Sequence, residues 1–383
     1  MTEDVIALTR ELLRIPSENP PGEEGACARY IYEWFDERGI DATLISQPDP
    51  DRPSVAARIG SGYPTVVLNG HTDVVPAGDL DTWRYPPYEA VIDDGRIYGR
   101  GATDMKAGLA VAMTVAMRLR KAIEADELAG SIIVHAAAGE ETGYPGTASL
   151  IDAGFGGDLA IVLEPTELRV ATSAKGVATF RFGVEGIASH ASRPDDGENA
   201  IDGLRRLLDL LAEYDDDIRA FRDPLVGHAY ATVTEVQSGI DSNMAVVPDR
   251  AELLLDRRLL PGETIDSVQG ELDELQARHR SNTIDRSLVQ FYEPAAIDPG
   301  HFLAEVLRKH TGNRTGVSSE PYGLEAATDA RSFIAEGIDA VIWGPGHLAQ
   351  AHTVDEWVST DEMRLAEEIL VDALRELLTD SRL

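Results

Sequence analysis

The fold class is decided by a short apolar run that ends in polar residues, Thr65-Val66-Val67-Leu68-Asn69-Gly70-His71-Thr72-Asp73. An apolar run of this length is typical of a strand that is buried on both faces of a parallel sheet. Similar runs occupy residues 131–137, 159–163 and 340–343, and a buried helix is predicted over residues 108–123. Apolar strands that alternate with helices predict an α/β fold with a mostly parallel central sheet.

The pattern changes near Lys175. Three segments alternate between polar and apolar side chains, as strands with one exposed face do: residues 177–185, 229–238 and 251–259. An amphipathic helix is predicted over residues 201–214. We therefore predict that a small α+β domain over residues 175–284 interrupts an α/β domain, whose two parts are residues 1–174 and 285–383.

Acidic residues far outnumber basic ones. The chain has 67 Asp and Glu against 34 Lys and Arg, which gives a net charge of −33, and only four of the basic residues are lysines. The charge argues against nucleic acid or an anionic membrane as a partner, because phosphate contacts need Lys and Arg. Many carboxylates with few lysines predict a halophilic protein, since molar salt screens their repulsion. An ordinary acidic enzyme is the alternative.

Other features of the sequence predict a cytoplasmic protein. The single cysteine, Cys27, excludes an intrachain disulfide and a cysteine-built metal site. There is no apolar run of about 18 residues, so no membrane-spanning helix is expected. The N-terminus, Met1-Thr2-Glu3-Asp4, lacks the basic start and apolar stretch of a signal peptide.

Carboxylates and histidines follow several of the predicted elements. They are His71 and Asp73, Asp104 in a glycine-rich turn, Glu140 and Glu141, Glu164, and either His347 or His352. Each has an ordinary explanation alone, such as a helix cap for Asp104 or a solvated acidic turn for Glu140. Because the carboxyl ends of parallel strands meet at one edge of a sheet, however, these side chains are expected to converge. Together they predict a metal site.

These segments also resemble a known family. The chain is similar to the zinc-dependent acetylornithine deacetylases, succinyl-diaminopimelate desuccinylases, aminoacylases and glutamate carboxypeptidases, from about residue 6 to residue 377. The motifs that carry the resemblance are Asn69-Gly70-His71-Thr72-Asp73, Tyr98-Gly99-Arg100-Gly101, Asp104-Met105-Lys106, Glu140-Glu141, Glu164-Pro165 and His352. The resemblance implies a zinc-exopeptidase-like catalytic domain.

The resemblance further implies two Zn(II) ions per chain, which Co(II) or Mn(II) could replace. His71 and Glu164 would bind one ion, Glu141 and His352 the other, and Asp104 would bridge them. Two catalytic roles are also implied. Asp73 would orient His71, and Glu140 would be the general base.

The inserted domain resembles the lid and dimerisation domain of this family, so a homodimer is expected. His190 would act in the active site of the partner subunit. Asn243, Arg258 and Gly346 would contact the substrate, with Arg258 binding its carboxylate. The neighbouring Arg257 is expected on the sheet surface.

The implied activity is hydrolysis of the amide bond of N-acyl amino acids, of the acetylornithine deacetylase or succinyl-diaminopimelate desuccinylase type. A metallo-carboxypeptidase or dipeptidase with the same dizinc centre is the alternative. Glu164 favours the deacylases, because the peptidases of the family more often carry Asp there. Two other readings are a catalytically inactive binding protein and an acidic structural protein whose carboxylates serve only salt adaptation.

Overall fold

The protein is described by a computed structural model that covers residues 4–239, 244–279, 283–317 and 319–379. The chain divides into two compact units. The first comprises Met1–Ser173, Ala296–Gly323 and Thr328–Leu383, and the second comprises Ala174–Ala295 and Leu324–Ala327. The second unit therefore interrupts the first along the chain.

The first unit is built on a central sheet whose middle strands are parallel. The strands follow one another across it in the order Asp41–Ile45, Ser54–Ile59, Ser131–Ala137, Thr65–His71, Leu159–Val162, Asp339–Ile342 and Ala171–Ala174. Thr65–His71 runs parallel to both neighbours, whereas the outer strands are antiparallel. The predicted α/β fold with a mostly parallel sheet is confirmed. Shorter strands are Val91–Asp93, Arg96–Tyr98, Ala295–Ala296, Tyr322–Leu324 and Trp357–Ser359.

Helices pack against this sheet. They span Val5–Leu13, Gly25–Asp36, Ala107–Glu124, Gly146–Leu150, Phe302–Thr315, Ala330–Ala335 and Thr360–Leu377. Helix Ala107–Glu124 contacts the strands Thr65–His71 and Ser131–Ala137 as well as helix Thr360–Leu377. Its Ala, Val, Leu and Met side chains are buried along most of its length, which places it in the centre of the core.

The register of the parallel strands determines which residues meet at the carboxyl edge of the sheet. His71 pairs with Ala137, two residues before Gly139, and Asn69 pairs with Val162, two residues before Glu164. The turns that carry the predicted metal ligands therefore begin side by side.

The second unit contains a four-stranded antiparallel sheet. Its strands lie in the order Tyr230–Ser238, Arg250–Leu259, Gly176–Glu185 and Ile284–Tyr292. Helices Ala200–Ile218 and Ile265–Arg278 contribute to a core with the buried side of this sheet. Burial alternates along Arg250–Leu259, as predicted for a sheet with one open face. Among the described residues we find no helix with the length and apolar composition that a bilayer span requires.

The second unit extends further than the sequence boundary at residue 284. Strand Ile284–Tyr292 pairs with Gly176–Glu185, so the unit continues to Ala295. This strand lies at the edge of the sheet, and nearly all of its residues are exposed or half-buried. The sequence of an edge strand contains little information about its partner, because pairing is decided by tertiary contacts.

Candidate metal centre

The five predicted metal ligands lie together at the carboxyl edge of the central sheet. The Nε2 atom of His71 lies 3.2 Å from Oδ1 of Asp104 and 3.7 Å from Oε1 of Glu164. The Nε2 atom of His352 lies 3.3 Å from Oδ2 of Asp104 and 3.0 Å from Oε2 of Glu141. The Asp104 carboxylate is therefore shared, with one oxygen directed toward each histidine.

The chemistry of this cluster fits divalent metal ions. Potential ligand atoms of His71, Asp104 and Glu141 all lie within 4.8 Å of one another. Burial raises the pKa of Glu164 well above its usual range and also raises the pKa of Glu141, and the Asp104 carboxylate adds to both shifts. Carboxylates crowded in this way are stabilised by a cation. Oxygen and imidazole nitrogen donors suit Zn(II), Co(II) and Mn(II).

His71 is oriented through its other ring nitrogen. The Nδ1 atom lies 2.9 Å from the backbone carbonyl oxygen of Asp73 and 3.4 Å from Oδ1 of the same residue. If Nδ1 carries the proton, it donates to this carbonyl, and the lone pair of Nε2 then faces Asp104 and Glu164. The nearest acceptor is thus the main chain of Asp73 rather than its carboxylate.

The Asp73 carboxylate instead holds the turn that carries Glu140 and Glu141. It accepts hydrogen bonds from the backbone N–H groups of Gly139, Glu140 and Glu141, at 2.9, 3.2 and 3.1 Å. Asn19 Nδ2 donates a fourth, at 2.9 Å. Gly139 has a φ of 79°, and a Cβ there would lie 2.2 Å from Tyr144, so only glycine fits this turn.

Glu140 points to a different partner from Glu141. Its Oε1 atom lies 3.3 Å from Nη1 of Arg331, whose Nη2 is 3.4 Å from Oδ1 of Asp329. Burial raises the pKa of Glu140 to about 8, although Arg331 opposes the shift. Sequence alone does not predict the pairing between Glu140 and Arg331, because the two residues are distant along the chain.

Of the two candidate histidines, His352 lies among the predicted ligands and His347 does not. His347 Nε2 is 3.4 Å from Glu167, and its Nδ1 accepts a hydrogen bond from the backbone N–H of Ala349. The adjacent Gly346 has a φ of 98°, and a Cβ there would lie 2.1 Å from Oγ1 of Thr103. This glycine therefore packs against the turn that carries Asp104.

The remaining predicted site residues belong to the second unit. Nδ1 of His190 accepts hydrogen bonds from the backbone N–H and the hydroxyl of Ser192. Nε of Arg258 donates to Asp256 over 2.7 Å. Asn243 lies outside the described residues. The roles of these three in catalysis and substrate binding stay predictions.

The expectation that Arg257 lies on the sheet surface is wrong. Arg257 is fully buried and donates to the hydroxyl of Tyr214 over 2.9 Å, and it also pairs with Glu263. It shares the buried side of its strand with Leu255 and Leu259. The two-residue period of a strand could have revealed this.

A cluster of imidazoles and carboxylates at the carboxyl edge of a mostly parallel sheet is typical of a metal-binding site in an enzyme. The chain belongs to peptidase family M20/M25/M40, whose family model matches residues 67–376. It is therefore a hydrolase of amide bonds from a metal-dependent family. The resemblance inferred from the motifs is confirmed.

Individual relatives match the chain over nearly its whole length. It is 30% identical to a probable succinyl-diaminopimelate desuccinylase from Staphylococcus epidermidis, with 94% of each chain covered. It is 26% identical to N-formyl-4-amino-5-aminomethyl-2-methylpyrimidine deformylase from Halalkalibacterium halodurans, with 98% of this chain and 93% of the relative covered. An M20 family metallo-carboxypeptidase from Sulfolobus solfataricus has the same fold, with a TM-score of 0.80, 20% identity, and 97% and 99% of the two chains covered.

Proposed function

We propose that this protein hydrolyses the amide bond of N-acyl amino acids, as acetylornithine deacetylases and succinyl-diaminopimelate desuccinylases do. The observation that carries the proposal is the shared carboxylate of Asp104, which lies between the imidazoles of His71 and His352. The similarity to a probable desuccinylase over 94% of the chain supports the substrate class.

The proposed cofactors are two Zn(II) ions, which Co(II) or Mn(II) could replace. His71 and Glu164 would hold one ion and Glu141 and His352 the other, with Asp104 common to both. When bound, the ions would polarise the amide carbonyl and lower the pKa of a water molecule.

Glu140 is the proposed general base. Its carboxylate contacts Arg331, whereas the carboxylate of the neighbouring Glu141 contacts His352. It would accept a proton from the attacking water and pass it to the departing amine. The contact with Arg331 would hold the Glu140 carboxylate in one orientation, away from the contact between Glu141 and His352.

The second unit would complete the site in a homodimer. His190 of the partner subunit would donate a hydrogen bond to the oxygen that gains charge during the attack. Arg258 would bind the substrate carboxylate, for which its planar guanidinium is suited. Asn243 and Gly346 would contact the substrate.

An amine-release assay on the metal-loaded protein tests the proposed function. The panel contains N-acetylornithine, N-succinyl-diaminopimelate, other N-acyl amino acids and dipeptides. We expect the highest kcat/KM on an N-acyl amino acid. A preference for dipeptides would contradict the proposal and assign the chain to the metallo-carboxypeptidases or dipeptidases, which would use the same centre. Absence of hydrolysis of any substrate would contradict both.

A further inference from the structure

Glu356 is a fully buried carboxylate outside the predicted ligand set. Its Oε2 atom accepts hydrogen bonds from Nη1 of Arg100 at 2.6 Å and from the backbone N–H of Gly101 at 3.0 Å. Its Oε1 atom accepts from the backbone N–H groups of Thr103 at 2.8 Å and Asp104 at 3.1 Å. Each carboxylate oxygen therefore has two donors.

The segment that receives these bonds cannot hold itself by regular helical hydrogen bonds. Asp104 has φ −122° and ψ 92°, and Met105 has φ −134° and ψ 30°, so the backbone is not helical just before helix Ala107–Glu124 begins. Buried backbone N–H groups need acceptors. Glu356 supplies them to three residues of this segment, including the residue that carries the shared carboxylate.

Glu356 also connects this segment to His352. It lies four residues after His352, and its own backbone carbonyl accepts a hydrogen bond from the N–H of Gly99 at 2.9 Å. Nη1 of Arg100 donates in addition to the carbonyl oxygen of Thr353, at 3.2 Å. The ion pair between Arg100 and Glu356 thus joins the chain segments on which Asp104 and His352 lie.

We propose that Glu356, together with Arg100, is a positioning residue that fixes the Asp104 carboxylate relative to His352. This inference rests on the proposed function of the metal centre. Glu356 is not itself a ligand, because both of its oxygens are occupied by N–H donors. Its hydrogen bonds hold the segment that carries Asp104 close to the segment that carries His352. The ion proposed between Glu141 and His352 would depend on this arrangement most.

Glu356→Gln tests this role, because glutamine keeps the size of the side chain and places an NH₂ group opposite N–H donors. Co(II) binding to the metal-free protein is measured by calorimetry and by the visible spectrum of the Co(II) form. We expect the second Co(II) equivalent to bind at least about tenfold more weakly than in wild type, as is typical when a residue that orients a ligand is changed. The visible spectrum of the Co(II) that binds as the second equivalent should also differ from that of wild type.

Glu367→Gln is the matched control. Glu367 is a largely buried partner of Arg118, at 3.2 Å, and it lies on helix Thr360–Leu377 of the same unit. This variant should lose an ion pair and keep wild-type Co(II) affinity. If Glu356→Gln and Glu367→Gln bind Co(II) equally well, Glu356 has only a structural role and the inference is overturned.

A second, more conservative variant tests the inference if Glu356→Gln does not fold. Arg100→Lys keeps the positive charge but cannot reproduce the contacts of the guanidinium. A weaker second Co(II) equivalent supports the inference, and unchanged affinity in a folded Arg100→Lys protein overturns it. Wild-type protein that binds no Co(II) would instead contradict the proposed function, so the two failures are distinguishable.

Discussion

At the scale of single residues, Glu140 and Glu141 are adjacent in sequence and have different partners. Glu141 faces His352, whereas Glu140 faces Arg331. We predict that Glu140→Gln lowers kcat by at least about 10³-fold, near the middle of the range for general acid–base catalysis. The change in KM should be smaller, because the lost interaction acts mainly in the transition state. Steady-state kinetics with measured metal content checks this.

Glu141→Gln is the companion variant. It should lower metal occupancy, and excess zinc should restore part of its activity. Glu140→Gln, in contrast, should keep a normal metal content, because glutamine is nearly isosteric and leaves the ligand turn unchanged. A Glu140→Gln protein that loses metal while Glu141→Gln retains it would show that the two roles are reversed.

The residues of the candidate site differ in how far sequence could locate them. His71 and Glu164 follow apolar runs directly, so their meeting at one sheet edge follows from strand order. Glu356 could not be found in this way, because its donors precede it by about 250 positions and only the folded chain brings them together. The family resemblance predicts that Asp73 orients His71. The hydrogen bonds from three backbone amides to its carboxylate depend on the shape of a turn, which sequence spacing does not reveal.

At the scale of elements, helix Ala107–Glu124 lies very close to the end of a neighbouring strand. A Cβ on Gly108 would lie 2.1 Å from the carbonyl oxygen of Leu163, which immediately precedes Glu164. We predict that Gly108→Ala destabilises the protein by about 1–3 kcal/mol, because the helix must move away from fixed backbone. Urea unfolding of the variant and of wild type measures the effect.

A second helical glycine gives the matched control. A Cβ on Gly270, in helix Ile265–Arg278, would meet nothing within 4 Å. Gly270→Ala should stabilise the protein by about 0.5–1 kcal/mol, since alanine has the higher helix propensity. If Gly108→Ala and Gly270→Ala change the free energy of unfolding equally and in the same direction, close packing at Gly108 does not determine the effect.

A buried histidine joins strand Ser131–Ala137 to helix Ala330–Ala335. The His135 ring stacks on Phe333 with centroids 5.8 Å apart, and Nε2 lies 3.0 Å from the carbonyl oxygen of Phe155. Burial lowers the pKa of His135 to about 4. The unfolded chain, with a histidine pKa of about 6.5, binds this proton at a higher pH than the folded chain does. Stability therefore falls as pH decreases from about 6.5 to 4, and this group accounts for about 3 kcal/mol of the loss.

His135→Gln should remove this contribution, because glutamine retains an N–H donor and does not titrate. Urea unfolding at pH 7 and pH 4.5 compares the loss of stability in wild type and variant. The same substitution at His301, which is only partly buried, is the control. If wild type and His135→Gln lose equal stability over this interval, the histidine does not carry the pH dependence.

At the scale of the whole molecule, the surface is acidic and nearly free of lysine. Of the four lysines, Lys106 and Lys175 are buried, and Lys121 and Lys309 are exposed. With a net charge of −33, repulsion among carboxylates should destabilise the fold at low ionic strength. We predict that Tm rises from low to molar KCl, since the Debye length falls from about 30 Å at 0.01 M to about 3 Å at 1 M. A Tm that stays constant or falls with salt would contradict halophilic adaptation.

Hydrophobic periodicity predicts the order of strands and helices better than it predicts where the second unit ends. Mainly apolar strands such as Ser131–Ala137 are buried on both faces, so hydrophobicity predicts their place inside a parallel sheet. Strand Ile284–Tyr292 has only one buried residue, and its place in the second unit depends on hydrogen bonds to Gly176–Glu185. Local sequence does not encode such a pairing.

The interruption of the first unit by the second has a consequence for synthesis on the ribosome. His71, Asp104, Glu141 and Glu164 are translated before the second unit, whereas His352 and helix Thr360–Leu377 are translated after it. At roughly 5–20 residues per second, on the order of ten seconds or more separate Glu164 from His352. Throughout that time the nascent chain presents only part of the proposed ligand set, and helix Ala107–Glu124 lacks its contacts with helix Thr360–Leu377. The proposed site for the ion between Glu141 and His352 would be complete only after His352 is translated, so binding of that ion would follow synthesis of the second unit.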